Sequence, residues 1–197
     1  MGNESPCVLA AAGTLQQKSV TRTVIRHVAG LLAAEGCAVD LLDFAVEPLA
    51  LYNPDTAHEG AAYAALRARV ERADVILLGT PDYHGSVSGA TKNFLDHFWR
   101  EFAGKLFATV VASHEKGLTV TDQLRTVARQ CYAWSLPYGV SFKDGEDVTD
   151  GEITGEVFKK KLKMLARDVR VYGALLARQR ASDLAGTDPG FLERLRR

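Results

Sequence analysis

The sequence predicts a single α/β domain in which helices cover both faces of a parallel sheet of five strands. Two observations support this fold class. Short apolar runs without polar alternation, typical of strands buried on both faces, alternate with longer segments whose apolar residues recur at helical spacing. Turns rich in Gly, Pro and polar residues separate these segments, so we expect parallel strands joined by right-handed helical crossovers. One domain accounts for all 197 residues.

Residues that typically begin or end helices and strands mark the boundaries of the elements. Gly36 ends the first helix and Pro81 stops the third strand, while helices are expected to begin near Ser88, Thr119 and Thr154. The predicted strands are residues 6–12, 37–42, 73–80, 106–113 and 137–142. The predicted helices are residues 20–36, 61–72, 88–101, 119–134 and 154–180, after which the tail from Ala181 is expected to fray.

Two strand orders are common for such a sheet, and the first loop discriminates between them. The dinucleotide-binding order requires GxGxxG after the first strand, but residues 12–18 (AGTLQQK) contain one Gly. The Gly-Lys-Ser/Thr ending of a P-loop is also absent from them. The sequence therefore predicts the flavodoxin-like doubly wound order 2-1-3-4-5, with strand one between strands two and three.

Composition narrows the classes of function. Lys plus Arg and Asp plus Glu number 24 each, so the positive excess typical of nucleic-acid binders is missing, and we predict no nucleic-acid partner. The three Cys, Cys7, Cys37 and Cys131, are far apart and form no CxxC pair. Neither a metal site nor a disulfide framework is therefore predicted.

The chain also lacks the patterns of membrane or secreted proteins. Its apolar runs all fall short of the ~18 residues that a membrane-spanning helix needs. The polar start, residues 1–6, lacks the basic and apolar segments of a secretory signal. We therefore predict a cytoplasmic protein without a membrane partner.

The loop after the first strand is a candidate phosphate site. In this fold ligands bind at the carboxyl ends of strands one and three, and the loop leads into a helix N-terminus, where N–H groups attract anions. The alternative is a helix cap followed by a solvated loop. The candidate phosphate ligands are Thr14, Gln16, Lys18, Ser19 and Thr21.

The loops after strands three and four reach the same edge of the sheet. Residues 81–86 combine Pro, Gly, Tyr and His, which favours a stiff loop whose backbone N–H groups meet a flat hydrogen-bonding ring such as an isoalloxazine. Residues 113–117 (SHEKG) would close its far side, and Lys116 would meet the phosphate of a nicotinamide donor. The alternatives are an ordinary turn, with Tyr83 covering the core edge, and a charged surface turn.

These residues resemble a known family. Residues 80–96 (TPDYHGSVSGATKNFLD) resemble T-P-x-Y-x-x-S-x-x-G-x-x-K-N-x-x-D, the signature of the NADPH-dependent FMN reductase family, and residues 13–19 resemble its phosphate loop. The resemblance implies a flavodoxin-like fold, non-covalently bound FMN, and a homodimer or homotetramer. It also implies hydride transfer from NADPH or NADH to FMN, and then reduction of a small acceptor: free flavin, a quinone, an azo compound or a metal oxyanion.

The fold argument and the resemblance together assign a cofactor site. Its predicted residues are Gly13, Thr14, Gln16, Lys18, Ser19, Thr21, Pro81, Asp82, Tyr83, His84, Gly85, Ser86, Ser113, His114 and Gly117. Some of them depart from the family pattern: Gln16 and Thr21 replace Arg and Asn of the phosphate loop, where Lys18 would supply the lost positive charge. His84 stands where Asn is frequent. No catalytic residue is predicted, although His84 and His114 are candidates for protonating an acceptor.

Two other hypotheses remain open from the sequence. One is a flavodoxin-like electron carrier that docks a protein partner; the other is a non-catalytic flavin-binding module. A TxTGxT loop and an acidic face would favour the carrier, and neither is found. Oligomerisation is expected from the apolar bulk of Phe94, Phe98 and Trp99, whereas Lys92, Asn93 and Asp96 are expected to be scaffold and interface residues.

Overall fold

A computed structural model describes residues 5–196, and it contains nine strands and five α-helices. The strands are β1 (Cys7–Ala12), β2 (Ala38–Asp43), β3 (Val75–Tyr83), β4 (Ser86–Val87), β5 (Leu106–Ala112), β6 (Trp134–Ser135), β7 (Val140–Phe142), β8 (Val148–Thr149) and β9 (Glu152–Ile153). The helices are α1 (Val20–Ala34), α2 (Gly60–Arg72), α3 (Gly89–Asp96), α4 (Leu118–Gln130) and α5 (Glu156–Ala185).

The central sheet has the predicted flavodoxin-like order. Its strands follow one another as β2-β1-β3-β5-β6, all parallel, and β7 continues the edge beside β5. The short β4 pairs antiparallel with the end of β3, and β8 and β9 form a separate hairpin. Since β6 and β7 together occupy the place of the predicted fifth strand, the order 2-1-3-4-5 is confirmed.

Helices cover both faces of the sheet, because successive residues of each central strand point to opposite sides. In β3, Val75 and Leu77 belong to the core cluster that includes α1 and α5. Ile76 and Leu78 belong to the cluster that includes α2, α3 and α4. This two-sided burial explains why the strand sequences are continuously apolar.

Several predicted boundaries were wrong. The fifth strand is interrupted around Pro137, because proline has no N–H to donate to the ladder. Trp134, which was expected to end a helix, pairs with β5 as part of β6. Helix α4 begins after Gly117 rather than at Thr119, and α5 is capped by Gly155 rather than Thr154.

Helix α3 ends earlier than predicted. It stops at Asp96, where the N–H groups of His97 and Phe98 bond three residues back, to Phe94 and Leu95, and a short 3₁₀ turn follows at Arg100–Phe102. Phe94 and Phe98 are buried in the chain's own core, so the interface expected from them was wrong; Trp99 remains exposed.

The C-terminal segment is ordered rather than frayed. Helix α5 continues to Ala185, and Arg196 Nε then donates to the carbonyl oxygen of Asp183 (2.9 Å). Leu192 is only 2% exposed. Within residues 5–196, no helix combines the length and apolar character that crossing a membrane demands.

Candidate functional site

The loops that follow β1, β3 and β5 line one pocket at the carboxyl edge of the sheet. Its volume is about 130 Å³. The predicted residues that line it are Thr14, Gln16, Ser19, Thr21, Pro81, Asp82, Tyr83, Ser113 and His114. The other predicted residues belong to the same three loops but do not line this pocket: Gly13, Lys18, His84, Gly85, Ser86 and Gly117.

Gly13 lets the first loop pass close to the second. Its N–H donates to the carbonyl oxygen of Gly79 (2.7 Å), and its own carbonyl accepts from Ser88 Oγ (2.6 Å). A Cβ on Gly13 would lie 1.9 Å from Thr91 Oγ1 and 2.6 Å from the Gly79 oxygen. Only Gly fits there without displacing these neighbours.

Arg22, in the first turn of α1, supports the loop from below. Its Nη1 donates to the carbonyl oxygens of Gln16 (2.9 Å) and Gln17 (2.7 Å), and its Nε donates to Asp43 (2.6 Å). The side chain is buried, and Nη2 has no acceptor among residues 5–196. Sequence analysis missed Arg22; the available signal was Asp43, an acid at the carboxyl end of a buried strand.

The contacts of Arg22 leave the other side of the loop rich in free donors. A trans peptide points its C=O and N–H in opposite directions, so carbonyls turned toward Arg22 leave N–H groups facing away from it. The N–H groups of residues 17–21 donate to no acceptor in the described part of the chain. Together with the helix dipole, they form an arrangement that suits a phosphate.

The β3–β4 hairpin carries the second predicted loop. Its two turn residues both have positive φ, 58° at His84 and 76° at Gly85, as a type I′ turn requires. The Gly85 N–H donates to Asp82 Oδ1 (2.8 Å), so this N–H is not free for a ligand. The hairpin therefore presents Pro81, Asp82 and Tyr83 to the pocket.

Asp82 also joins the second loop to the third. Its Oδ2 accepts from Ser113 Oγ (2.9 Å), and Ser113 Oγ in turn accepts from the N–H of Glu115 (3.2 Å). Gly117, at φ 58°, then turns the chain into α4. One carboxylate therefore fixes the spacing between the two loops.

Gln123 on α4 holds the outer side of the hairpin. Its Oε1 accepts from Ser86 Oγ (3.0 Å) and from the N–H of Val87 (3.3 Å), while its Nε2 donates to the Gly85 carbonyl (3.2 Å). Gly85 and Ser86 therefore attach the hairpin to α4. This contact was not predicted, because it joins residues far apart in sequence.

Asp144 enters the site from the segment before β8. It lines the small pocket and also a neighbouring one of about 640 Å³, which includes Lys18, Ser19 and Arg26. Asp144 is not among the site residues predicted from the sequence. Lys18 therefore lies beside the predicted site, in a neighbouring cavity that Asp144 also lines.

The signature residues beyond the hairpin are scaffold. Lys92 forms an ion pair with Asp96 (2.6 Å) one turn along α3. Asn93 Oδ1 accepts from the N–H of Tyr52 (2.7 Å), and its Nδ2 donates to the Ala50 carbonyl (2.9 Å). Asn93 thus fixes the long connection between β2 and α2 against α3.

Comparisons with known proteins agree with this geometry. The sequence model of the family described as NADPH-dependent FMN reductase matches residues 6–147. An NADPH azoreductase of Bacillus sp. (strain OY1-2) is 32% identical over 164 residues, 81% of this chain and 88% of that protein. An FMN-dependent NADPH-azoreductase of Staphylococcus haemolyticus (strain JCSC1435) is 25% identical over 146 residues, which cover 70% of this chain and 77% of that protein. An oxidoreductase structure from Corynebacterium diphtheriae superimposes with a TM-score of 0.68 at 17% identity, covering 89% of this chain and 98% of that one.

Proposed function

The chain belongs to the NADPH-dependent FMN reductase family, and we propose that it passes electrons from NADPH or NADH, through FMN bound at the three loops, to an azo compound or a quinone. Membership confirms the resemblance seen in the sequence, the enzyme class, and the use of FMN with a nicotinamide donor. The acceptor and the residues that contact the cofactor are the parts we propose.

The observation that carries the proposed site is the set of free N–H groups in residues 17–21. They lie at the N-terminus of α1, with the hydroxyl groups of Ser19 and Thr21 beside them, so a phosphate placed there gains hydrogen bonds without displacing protein contacts. The guanidinium of Arg22 beneath the loop is paired with Asp43 (2.6 Å), so it holds the loop in shape rather than replacing the charge lost where Gln16 stands for the family's Arg.

Other residues would position the ring. Pro81, Asp82 and Tyr83 line the pocket, and Ser113 and His114 line it beside them, joined by the hydrogen bond between Ser113 and Asp82. FMN held by these residues would supply the redox chemistry, namely hydride acceptance and electron donation. His114, on the pocket wall, is better placed than His84 to give a proton to that acceptor.

An azo compound is the first acceptor we propose because a relative with 32% identity is named an NADPH azoreductase. The pocket, about 130 Å³, is smaller than the ~300–1,000 Å³ of most small-molecule sites. FMN would therefore be only partly enclosed, and a flat acceptor could stack on an open ring face. Quinones are flat in the same way and are the second choice.

A spectrum and a turnover assay test this function. Purified protein should bind FMN with a shift in its visible absorbance and should oxidise NADPH with an azo dye or quinone, without an added protein. Turnover that depends on a partner protein would favour an electron carrier. Flavin binding without turnover would indicate a non-catalytic module, and a colourless protein that ignores FMN would refute the assignment.

Two further expectations accompany the function. We retain the homodimer or homotetramer as a proposal, and size-exclusion chromatography with light scattering tests it. A cytoplasmic location also stays a prediction, to be tested by cell fractionation.

A further inference from the structure

A second cavity lies at the opposite end of the sheet from the flavin pocket. Its volume is about 440 Å³, within the ~300–1,000 Å³ range of small-molecule sites. It is lined by the turn around Trp99, by the end of α4 at Tyr132, and by the C-terminal segment at Phe191. The length of β5, about 20 Å by the rise of a strand, separates it from the flavin pocket.

The wall made by the C-terminal segment is firmly attached. Leu192 is buried, and its side chain lies over Gly104. Arg180 Nε donates to the Ala103 carbonyl (2.9 Å), which fixes the end of α5 to the same turn. The cavity is therefore part of the folded chain.

Three aromatic rings line it, those of Trp99, Tyr132 and Phe191. Tyr132 and Phe191 stack with their planes 16° apart, and Trp134 meets Phe191 edge-on at 6.2 Å. Trp99 is 56% exposed, yet its orientation is set because the indole N–H donates to the Gln130 carbonyl (3.1 Å). Such exposed and preorganised rings favour stacking with a flat ligand.

The rim adds positive charge. Arg100 and Arg194 line the cavity, and within residues 5–196 neither guanidinium has an ion-pair or hydrogen-bond acceptor. One carboxylate, Glu193, lines it as well, so the two guanidiniums leave a net positive charge. Cys131 contributes no charge, because burial raises the pKa of its thiol to about 11.

The backbone at Tyr132 is strained in a way that serves this surface. Tyr132 follows the C-cap of α4 with φ 56°, a left-handed conformation that Gly adopts far more readily. Strain of this kind persists where surrounding contacts compensate for it, and here it places the phenol ring against Phe191.

We propose that this cavity binds a planar aromatic anion, with its ring stacked among Trp99, Tyr132 and Phe191 and its carboxylate, sulfonate or phosphate facing Arg100 and Arg194. This site is independent of the flavin pocket, so the proposal does not depend on which acceptor the enzyme reduces.

Calorimetry on FMN-loaded protein, with naphthalene-2-sulfonate as the probe, tests the proposal. We expect saturable binding, at least tenfold tighter than that of neutral 2-naphthol, and quenching of fluorescence from Trp99 and Trp134, the two tryptophans of the chain. Absence of binding, or equal affinity for 2-naphthol, would overturn it.

Variants locate the binding. Tyr132→Gly removes the ring and relieves the strain, so the protein should melt no lower than wild type and bind the probe at least tenfold more weakly. Arg194→Gln, at an exposed position, should weaken binding about threefold or more. The matched controls, Tyr172→Ala and Arg178→Gln on the exposed face of α5, should bind like wild type. Wild-type affinity in both Tyr132→Gly and Arg194→Gln would reject the site.

Discussion

The two ends of the parallel sheet offer opposite chemistry. At the carboxyl end, helix N-termini present N–H groups, and those of residues 17–21 are free. At the amino end, carbonyl groups dominate, and cations meet them: Lys105 Nζ donates to the carbonyls of Glu71 and Ala73, and Arg180 Nε to that of Ala103. Helix dipoles all run the same way relative to parallel strands, so one end attracts anions and the other attracts cations.

This difference decides which atoms bind ligands at each end. In the proposed flavin site backbone N–H groups would hold the phosphate, so Gln16 in place of the family's Arg should be tolerated provided that the loop keeps its shape. At the amino end an anion has to rely on side chains such as Arg194, because the backbone there repels it. Changes to loop shape and changes to side-chain charge should therefore have separable effects.

Loss of Arg22 should have the largest effect on the flavin end. Arg22→Met leaves the buried Asp43 with Arg26 as its cationic partner (3.3 Å) and frees the carbonyls of Gln16 and Gln17. Breaking a buried ion pair costs about 3–5 kcal/mol, so we expect urea unfolding to show that loss, together with much weaker FMN binding.

Arg26→Gln is the matched control. Its side chain is 57% exposed, and the ion pair with Asp43 should contribute less than about 1 kcal/mol. If the two variants unfold at the same urea concentration, Arg22 does not support the loop.

At the amino end of the sheet, Lys105 should make the stability of the protein depend on pH. Burial, chiefly, lowers the pKa of Lys105 from 10.5 to about 8. Between these values the unfolded chain binds more protons than the folded one, so the free energy of unfolding rises as pH rises from about 8 to 10.5. Below pH 8 Lys105 is protonated in both states, and the buried charge destabilises the folded state by its full amount. Lys105→Met lacks this dependence.

The measurement is the difference in unfolding free energy between wild type and Lys105→Met. From pH 7.5 to 10 it should shift in favour of wild type by about 2 kcal/mol. The other titratable groups are common to both proteins, so their contributions cancel in the difference. A constant difference across the range would show that Lys105 is not desolvated.

Gly13→Ala should test loop shape with a smaller effect on stability. The added Cβ would meet the Gly79 carbonyl oxygen at 2.6 Å, and overpacking of this kind costs about 1–3 kcal/mol. We expect at least tenfold weaker FMN binding in a fluorescence titration. Gly30→Ala, in α1 with open space around it, should instead stabilise the protein by about 0.5–1 kcal/mol.

The smallest effect is expected at His84. Its φ of 58° belongs to a region that Asn occupies more readily than His. His84→Asn should therefore raise the free energy of unfolding by roughly a few tenths of a kcal/mol. Thermal unfolding would show it as a slightly higher Tm. A lower Tm would mean that the imidazole makes a stabilising contact.

Local sequence patterns were sufficient for much of the fold. Continuous apolar runs located β1, β3 and β5, because strands buried on both faces consist mainly of apolar residues. Gly36 and Ser88 marked a helix end and a helix start correctly, since the conformation of Gly and the hydroxyl of Ser act within a few residues. Short and irregular elements such as β6 and the end of α4 were misplaced, because they depend on pairing with distant residues.

The sequence by itself determined the sheet order, the edge where the loops meet, and the family. These follow from the spacing of strands and helices and from a compact motif at residues 80–96. Only the tertiary structure decided that Arg22 supports the phosphate loop, that Asp144 enters the site, and that the C-terminal segment closes a second cavity beside Tyr132. Each depends on side chains far apart in the chain, whose meeting is set by packing rather than by local pattern.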